Sequence, residues 1–237
     1  MVKMSKKSSI LLFRKAYIFI REKRLLLIIT VLIALSPWFW VFARNYSLIL
    51  PFKEKYYYLD QSQIDEIDML RGEAIASNLG IPGRLLINKY SYFAKEIFIR
   101  YLKTSDPHYL FFEGDVDLKR STHAFGPLYL SFLPLLIYGL MNSSKSSKKT
   151  KLLLLLFLII APIPAIFIYK YNETLVSIPS FIILTIFTGI GLNTLLKKKR
   201  FLALIFIFII LFEFAKFQHD FFVHYPDRIA KQIYSFK

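Results

Sequence analysis

"FLALIFIFIILFEFAKF", residues 201–217, decides the fold class, together with the "KKKR" (197–200) that precedes it. As a helix, 17 residues reach about 26 Å, close to the ~30 Å hydrocarbon core of a bilayer. The only charges in the run, Glu213 and Lys216, stand near its C-terminal end. They are an i,i+3 pair that can snorkel to an interface. A basic cluster abutting an apolar run is the pattern of a cytoplasmic flank.

Working outward, four more runs share this character: 25–43, 125–141, 152–168 and 175–196. Backbone polar groups must be satisfied internally in lipid, so each reads as a helix. The chain is 55% hydrophobic and 17% aromatic, which suits a membrane protein. Its net charge is +16. Residues 1–24 (net +7), 143–151 (net +4) and 197–200 (net +4) hold +15 of it. Each patch flanks an apolar run, so the charge sets topology and does not indicate nucleic-acid binding. There is no cysteine, so no disulfide or thiolate chemistry is available.

The expected architecture is an all-α integral membrane protein with about five transmembrane helices and a small helical extracytoplasmic cap. Residues 1–24 form a cytoplasmic basic leader, with 9–20 lying on the inner surface as an amphipathic stretch. Residues 25–43 are the first transmembrane helix. They end in Trp38, Phe39 and Trp40, an interfacial belt rather than a cleavage site. Residues 44–124 are the cap, 125–217 hold transmembrane helices two to five, and 218–237 are an extracytoplasmic tail. The protein is expected in the cell membrane, with the N-terminus cytoplasmic and the C-terminus extracytoplasmic. Pro37, Pro134, Pro162, Pro164 and Pro179 predict kinks or breaks, with a real bend expected at "APIPA" (161–165).

Within the cap, Ile64, Ile67, Leu70 and Ala74 recur at helical spacing, with Asp60 as N-cap. "LGIPG" (79–83) breaks the chain. Leu86, Tyr90, Phe93, Ile97 and Tyr101 then share one face of a second helix, which "TSDP" (104–107) stops.

"FFEGDVDLKRSTH" (111–123) is the polar knot where the cap re-enters the membrane. Asp115 and Asp117 spell D-x-D, a metal–diphosphate signature in many sugar transferases. The competing reading, a polar turn with Gly114 supplying the special dihedral, is preferred for so short a motif. His123 stands alone, and His108, His219 and His224 lack metal-like spacing, so no metal site is assigned. The N-x-S/T matches at Asn45, Asn142 and Asn172 read as chance. A lone intramembrane carboxylate gives a proton-relay transporter little to work with.

The order of "DMLRGE" (68–73), "LLINKYSYFAKEIFIRYLKTSDPHYLFFEGD" (85–115), "KRS" and "GPLYLSFLPLLIYGL" (126–140), continuing through "LLLFLIIAPIPA" (154–165), "SIPSFIILTIFTGIGL" (177–192) and "FFVHYP" (221–226), is similar to the C-terminal portion of GT-C membrane glycosyltransferases, family 39, of the protein O-mannosyltransferase and aminoarabinose-transferase type. The resemblance implies transfer of a sugar from a polyprenyl-phosphate donor to an extracytoplasmic acceptor. It implies a divalent metal in some members, and no other cofactor. Family members carry their acidic residues in a first outer loop that has no counterpart here. No catalytic residue is therefore assigned, and a separate N-terminal transferase half is the implied partner beside the bilayer itself. Asp115, Lys119, Arg120 and Lys89 are the candidates for binding the donor phosphate. The alternative is a non-catalytic multi-pass scaffold or lipid-binding protein.

Overall fold

The computed structural model describes residues 24–49, 59–76, 87–143, 148–167 and 174–235. The amphipathic stretch 9–20, the break 79–83, and Leu86, Lys170, Asn172 and Glu173 lie outside them. The described residues form helices and connections, with no strand. The elements run α1 (Arg24–Leu35), α2 (Pro37–Ile49), α3 (Gln61–Ala76), α4 (Lys89–Thr104), a π-helical turn (Tyr109–Glu113), α5 (Phe132–Ser143), α6 (Lys148–Ile160), α7 (Ile163–Ile166), α8 (Thr174–Lys198), α9 (Arg200–His219), a second π-helical turn (Asp220–His224) and α10 (Tyr225–Ser235).

Among the described residues, two helical stretches are long and apolar enough to cross a membrane: Val176–Lys198 and Arg200–Lys231. A third crossing is possible if the bent pair α1–α2 counts as one. The other two expected runs give shorter apolar helices, Phe132–Asn142 and Leu152–Ile166. Run 125–141 is shortened by its own chemistry. Gly126 packs so closely that an added Cβ would lie 2.5 Å from the Leu110 carbonyl oxygen. Pro127 has no amide to donate, and Leu128 donates to Leu110 instead of a helical partner. Residues 125–131 are thus an irregular strap, with Leu128 and Tyr129 fully buried, and the helix begins at Phe132. Pro134 falls in its first turn, where proline is tolerated. At the other end of the chain, helix continues past 217 through the second π-helical turn into α10.

Pro37 kinks the first run by 59°. The carbonyls it frees are recovered by side chains. Trp40 Nε1 donates to Ala34 O at 2.8 Å and Tyr129 Oη to Leu35 O at 2.7 Å. "APIPA" breaks the helix at Ala161–Pro162, between α6 and α7.

Helices α5 and α8 make the most extensive helix–helix contact among the described elements. Their backbones touch because glycines face each other. A Cβ on Gly139 would sit 1.9 Å from Phe187 O, and one on Gly191 would sit 2.0 Å from Leu135 O. Small residues permit such approach between membrane helices. Around this crossing lie Leu135, Phe132, Phe181 and Leu192, with Phe217, Phe221 and Tyr225 from the C-terminal helices.

In the cap, Asp60 caps α3 as expected. Gln63 N donates to Asp60 Oδ1 and Asp60 N donates to Gln63 Oε1, a reciprocal capping box. Ile67 and Ala74 point inward. The expected face of α4 is partly covered at Phe93, Ile97 and Tyr101, and the correction falls on Tyr90. Tyr90 is 88% exposed, and the residues α4 buries are Arg100 and Thr104. The helix rests on α7, and Tyr101 Oη donates to Ile159 O, so its polar side helps to seat it.

Candidate functional site

The knot at 113–123 is a loop tied to itself. Asp115 Oδ1 accepts from Asp117 N at 3.0 Å, and Asp117 Oδ1 accepts from Lys119 N at 3.0 Å. Two successive Asx turns follow from the D-x-D spacing, because each carboxylate reaches the amide two residues on. Ser121 Oγ donates to Glu113 O across the loop mouth. Gly114 takes φ 75°, and an added Cβ there would lie 2.5 Å from Ser121 Oγ. Only glycine closes the loop in this way. His123 also adopts positive φ, held by a 2.9 Å bond between its Nε2 and Val116 O.

Asp115 is buried, and its second oxygen leaves the loop. Thr174 N, the first amide of α8, donates to Asp115 Oδ2 at 3.1 Å. A carboxylate at a helix N-terminus satisfies an orphan donor and opposes the positive end of the helix dipole. Burial nonetheless holds the Asp115 carboxyl above the usual carboxylate range, against the pull of the Asp117 and Thr174 amides and of Arg120. Burial likewise pushes the neighbouring Tyr109 phenol up.

A second set of bonds locks the loop to both ends of the described chain. Asn45 Nδ2, from α2, donates to Lys119 O at 2.8 Å and to Tyr225 Oη at 2.6 Å. Tyr225 Oη in turn donates to Leu118 O at 2.6 Å. Arg44 donates to Phe221 O at 3.1 Å, with its guanidinium 5.1 Å from the Phe221 ring centre. The amide that the N-x-S pattern would offer for glycosylation is therefore buried and doubly engaged. The Asn45 and Tyr225 pairing was missed in the sequence. Its only signal was a polar residue at the end of an apolar run.

Of the four phosphate candidates, Asp115, Lys119 and Arg120 share the loop. Lys119 contributes backbone to the turn and the Asn45 bond. Arg120 borders a cavity of about 10 Å³ together with Trp38, Thr122 and Thr174. That is room for roughly one water and not for a phosphate group. Lys89 is exposed at the start of α4, about 22 Å along the helix axis from Thr104. The structure does not bring it to the loop. No group of three or more His, Asp or Glu side chains gathers for a metal among the described residues. Phe111 is core and Phe112 is half-exposed, so only Phe112 is free to meet an interface.

Glu213 also finds a different partner from the one next to it in sequence. It accepts from Ser131 Oγ on the strap, while Lys216 lies 5.4 Å from the Phe212 ring centre. A cavity of about 370 Å³ lies between α4, the first π-helical turn, α5, α6 and α8. No family model, curated protein or solved structure matches the chain.

Proposed function

We propose that the chain is an integral membrane protein with five crossings, cytoplasmic at its N-terminus and extracytoplasmic at its C-terminus. It is equivalent to the C-terminal part of a transferase that uses a polyprenyl-phosphate sugar, and it does no chemistry by itself. The observation that carries the second statement is the use made of the D-x-D. Both Asp115 oxygens and one Asp117 oxygen accept backbone amides. A general base needs an oxygen free to take a proton from an acceptor, and the buried Asp115 offers none, which leaves Asp117 Oδ2 as the motif's one unengaged oxygen. The five-crossing reading is supported by the burial of residues 126–129 within the strap, since irregular backbone at membrane depth is tolerated only when protein covers it.

Purified chain given a polyprenyl-phosphate sugar should show no turnover. Sustained transfer, lost in Asp117→Asn with unchanged melting, would overturn the reading. Reporter fusions at Ser146 and Lys237 should report opposite sides of the membrane. A second reading, a non-catalytic scaffold or lipid-binding protein, is favoured by the single-water space beside Arg120. Co-purification with a separate transferase half decides between the two.

A further inference from the structure

The two cap helices turn opposite chemistry to their surroundings. Helix α3 exposes Asp65, Glu66, Asp68 and Glu73, with Met69 the one large hydrophobe exposed among its described side chains. That is a water-facing surface. Helix α4 is built the other way round. Its inward side holds the buried Arg100 and Thr104 beside the partly covered Phe93 and Ile97. Its outward side is a stripe at i,i+4 spacing: Tyr90, Ala94, Phe98 and Leu102 are all exposed, Phe98 by 61% and Leu102 by 53%. A helix that seats polar groups inward and turns an apolar stripe outward does not suit water on its open side.

Charge is the first sign of what covers the stripe. The exposed charged residues of α4 are Lys89 and Lys95, while its one carboxylate, Glu96, is partly covered. Lysines bordering an apolar helical face match a sheet of lipid phosphates. Continuity is the second sign. Tyr101 Oη donates to Ile159 O and joins the end of α4 to run 152–168. Leu156, Phe157, Ile160 and Ile163 are exposed there, so apolar surface continues from α6 and α7 onto α4. The order of the layers is the third. Helix α4 rests on α7 and carries α3, with Tyr92 Oη donating to Glu66 Oε2. From α6 through α4 to α3, the exposed side chains pass from apolar, to apolar with lysine, to acidic. A bilayer surface imposes that gradient, from hydrocarbon through headgroups to water. A docked protein imposes none.

We propose that α4 lies in the interface of the outer leaflet. Tyr90, Phe98 and Leu102 sit among the upper acyl chains, Lys89 and Lys95 meet the lipid phosphates, and α3 stands above them in water. The proposal rests on the membrane reading but not on the transferase reading. It divides a cap that the sequence places wholly outside the membrane, since one of its two helices is a membrane-surface element. It also accounts for the polar groups on the inward side of α4, because the protein lies on that side and lipid on the other. The first π-helical turn and the knot follow α4 in the chain, so the seated helix holds the knot at headgroup level.

The chain has no cysteine, so a single introduced cysteine reports a single place. Full-length Phe98→Cys, Asp65→Cys and Phe208→Cys, each labelled with bimane, are reconstituted in phosphatidylcholine vesicles. Quenching is read with iodide on both faces and, separately, with doxyl-acyl lipid in the bilayer. The Phe208 label tests the membrane reading alone, and a label there that doxyl lipid does not quench would sink that premise. With the premise met, the Phe98 label should lose most of its emission to doxyl lipid and little to iodide, and the Asp65 label the reverse. Leu102→Cys should repeat the Phe98 result, which keeps the test open if Phe98→Cys melts low. Adding phosphatidylglycerol should deepen the doxyl quenching at Phe98, and Lys95→Glu should remove that increment. Strong iodide quenching at Phe98 and Leu102 would put the stripe in water and overturn the proposal. Labels there that neither quencher reaches would mean that a second copy or another protein covers the stripe, and would overturn it as well. An increment that is absent, or that survives Lys95→Glu, would overturn the assignment of Lys95 to the phosphates.

Discussion

Helices α8 and α9 are neighbours in sequence and both are apolar, yet they face different surroundings. In the most apolar stretch of Val176–Lys198, 61% is buried inside the protein, against 17% for Arg200–Lys231. Their residues explain the difference. Helix α8 carries Ser177, Ser180, Thr185, Thr188, Gly189, Gly191 and Asn193, small or polar groups that let a neighbouring backbone close in. Helix α9 carries Phe, Ile and Leu almost throughout, and buries only Ala203, Ile210 and Phe217, one residue per seven. Two spans of similar hydropathy are thus told apart by where their small residues fall. The helix that packs on protein is relieved of bulk on its contact face, and the helix whose apolar surface stays exposed is not.

The largest expected effect breaks the packed side of this comparison. Gly191→Ala places a Cβ 2.0 Å from a backbone oxygen of α5, where no side-chain rotation relieves it. The helices must part, so a loss of about 3 kcal/mol is expected in an unfolding titration in detergent. A cost no larger than that of a conservative change on α9 would mean that the glycine crossing is not there.

Next comes the carboxylate that anchors α8 from outside. Asp115→Ala removes the acceptor of the Thr174 and Asp117 amides and should cost about 2 kcal/mol. Its pH dependence has a definite sign. Burial raises the folded-state pKa of Asp115 above the unfolded value. The folded chain then holds that proton more tightly, so stability from this group is gained as pH falls through the raised value and is lost above it. Wild type should therefore gain on Asp115→Asn when melting is compared at about pH 8 and about pH 5. A constant difference, or one that moves the other way, would show that Asp115 is not desolvated.

A smaller effect tests the latch. Tyr225→Phe removes a donor to Leu118 O and the acceptor of Asn45 Nδ2, and should cost about 1 kcal/mol. Proteolysis near the chain's end should rise with it, because Tyr225 joins Ile229 and the Arg228–Asp220 pair in holding α10 to the rest of the protein. Unchanged melting and cleavage would remove the latch from the account.

The sequence revealed the helical class, the Asp60 cap of α3, the breaks at Pro37 and Ala161–Pro162, and the turn at Gly114. Each depends on residues within a few positions of one another, so local chemistry was enough. The apolar face of α4 was legible at Phe93, Ile97 and Tyr101, which are partly covered, but not at Tyr90, which is exposed, and the deepest burial on the helix falls on the polar Arg100 and Thr104. The strap 125–131 was hidden because a buried irregular segment is as apolar as a helix. Asp115 to Thr174 and Asn45 to Tyr225 are long-range pairings, and no spacing rule links positions 59 or 180 residues apart. The transferase likeness of the site rested on motif order, and geometry puts the motif's carboxylates to structural use.

The smallest expected effect probes the exposed side of the comparison. Phe208 stands at mid-length of α9 and is 71% exposed. Phe208→Leu keeps an apolar surface and changes its shape. Lipid chains are fluid and do not read shape, so if this face meets lipid the unfolding free energy should move by less than about 0.5 kcal/mol. The size of the particle in detergent should not move at all. A protein partner would read the shape, because packed interfaces lose contacts when a ring is replaced by a branched chain. A second substitution separates lipid from water. Phe208→Ser should lower the fraction of chain recovered in the membrane if the face meets hydrocarbon, since a hydroxyl there exchanges an apolar contact for an unpaired polar group. Were Phe208→Leu to shrink the particle, α9 would be the seat of a subunit. Its seventh-residue seam of Ala203, Ile210 and Phe217 would then be only half of its packing.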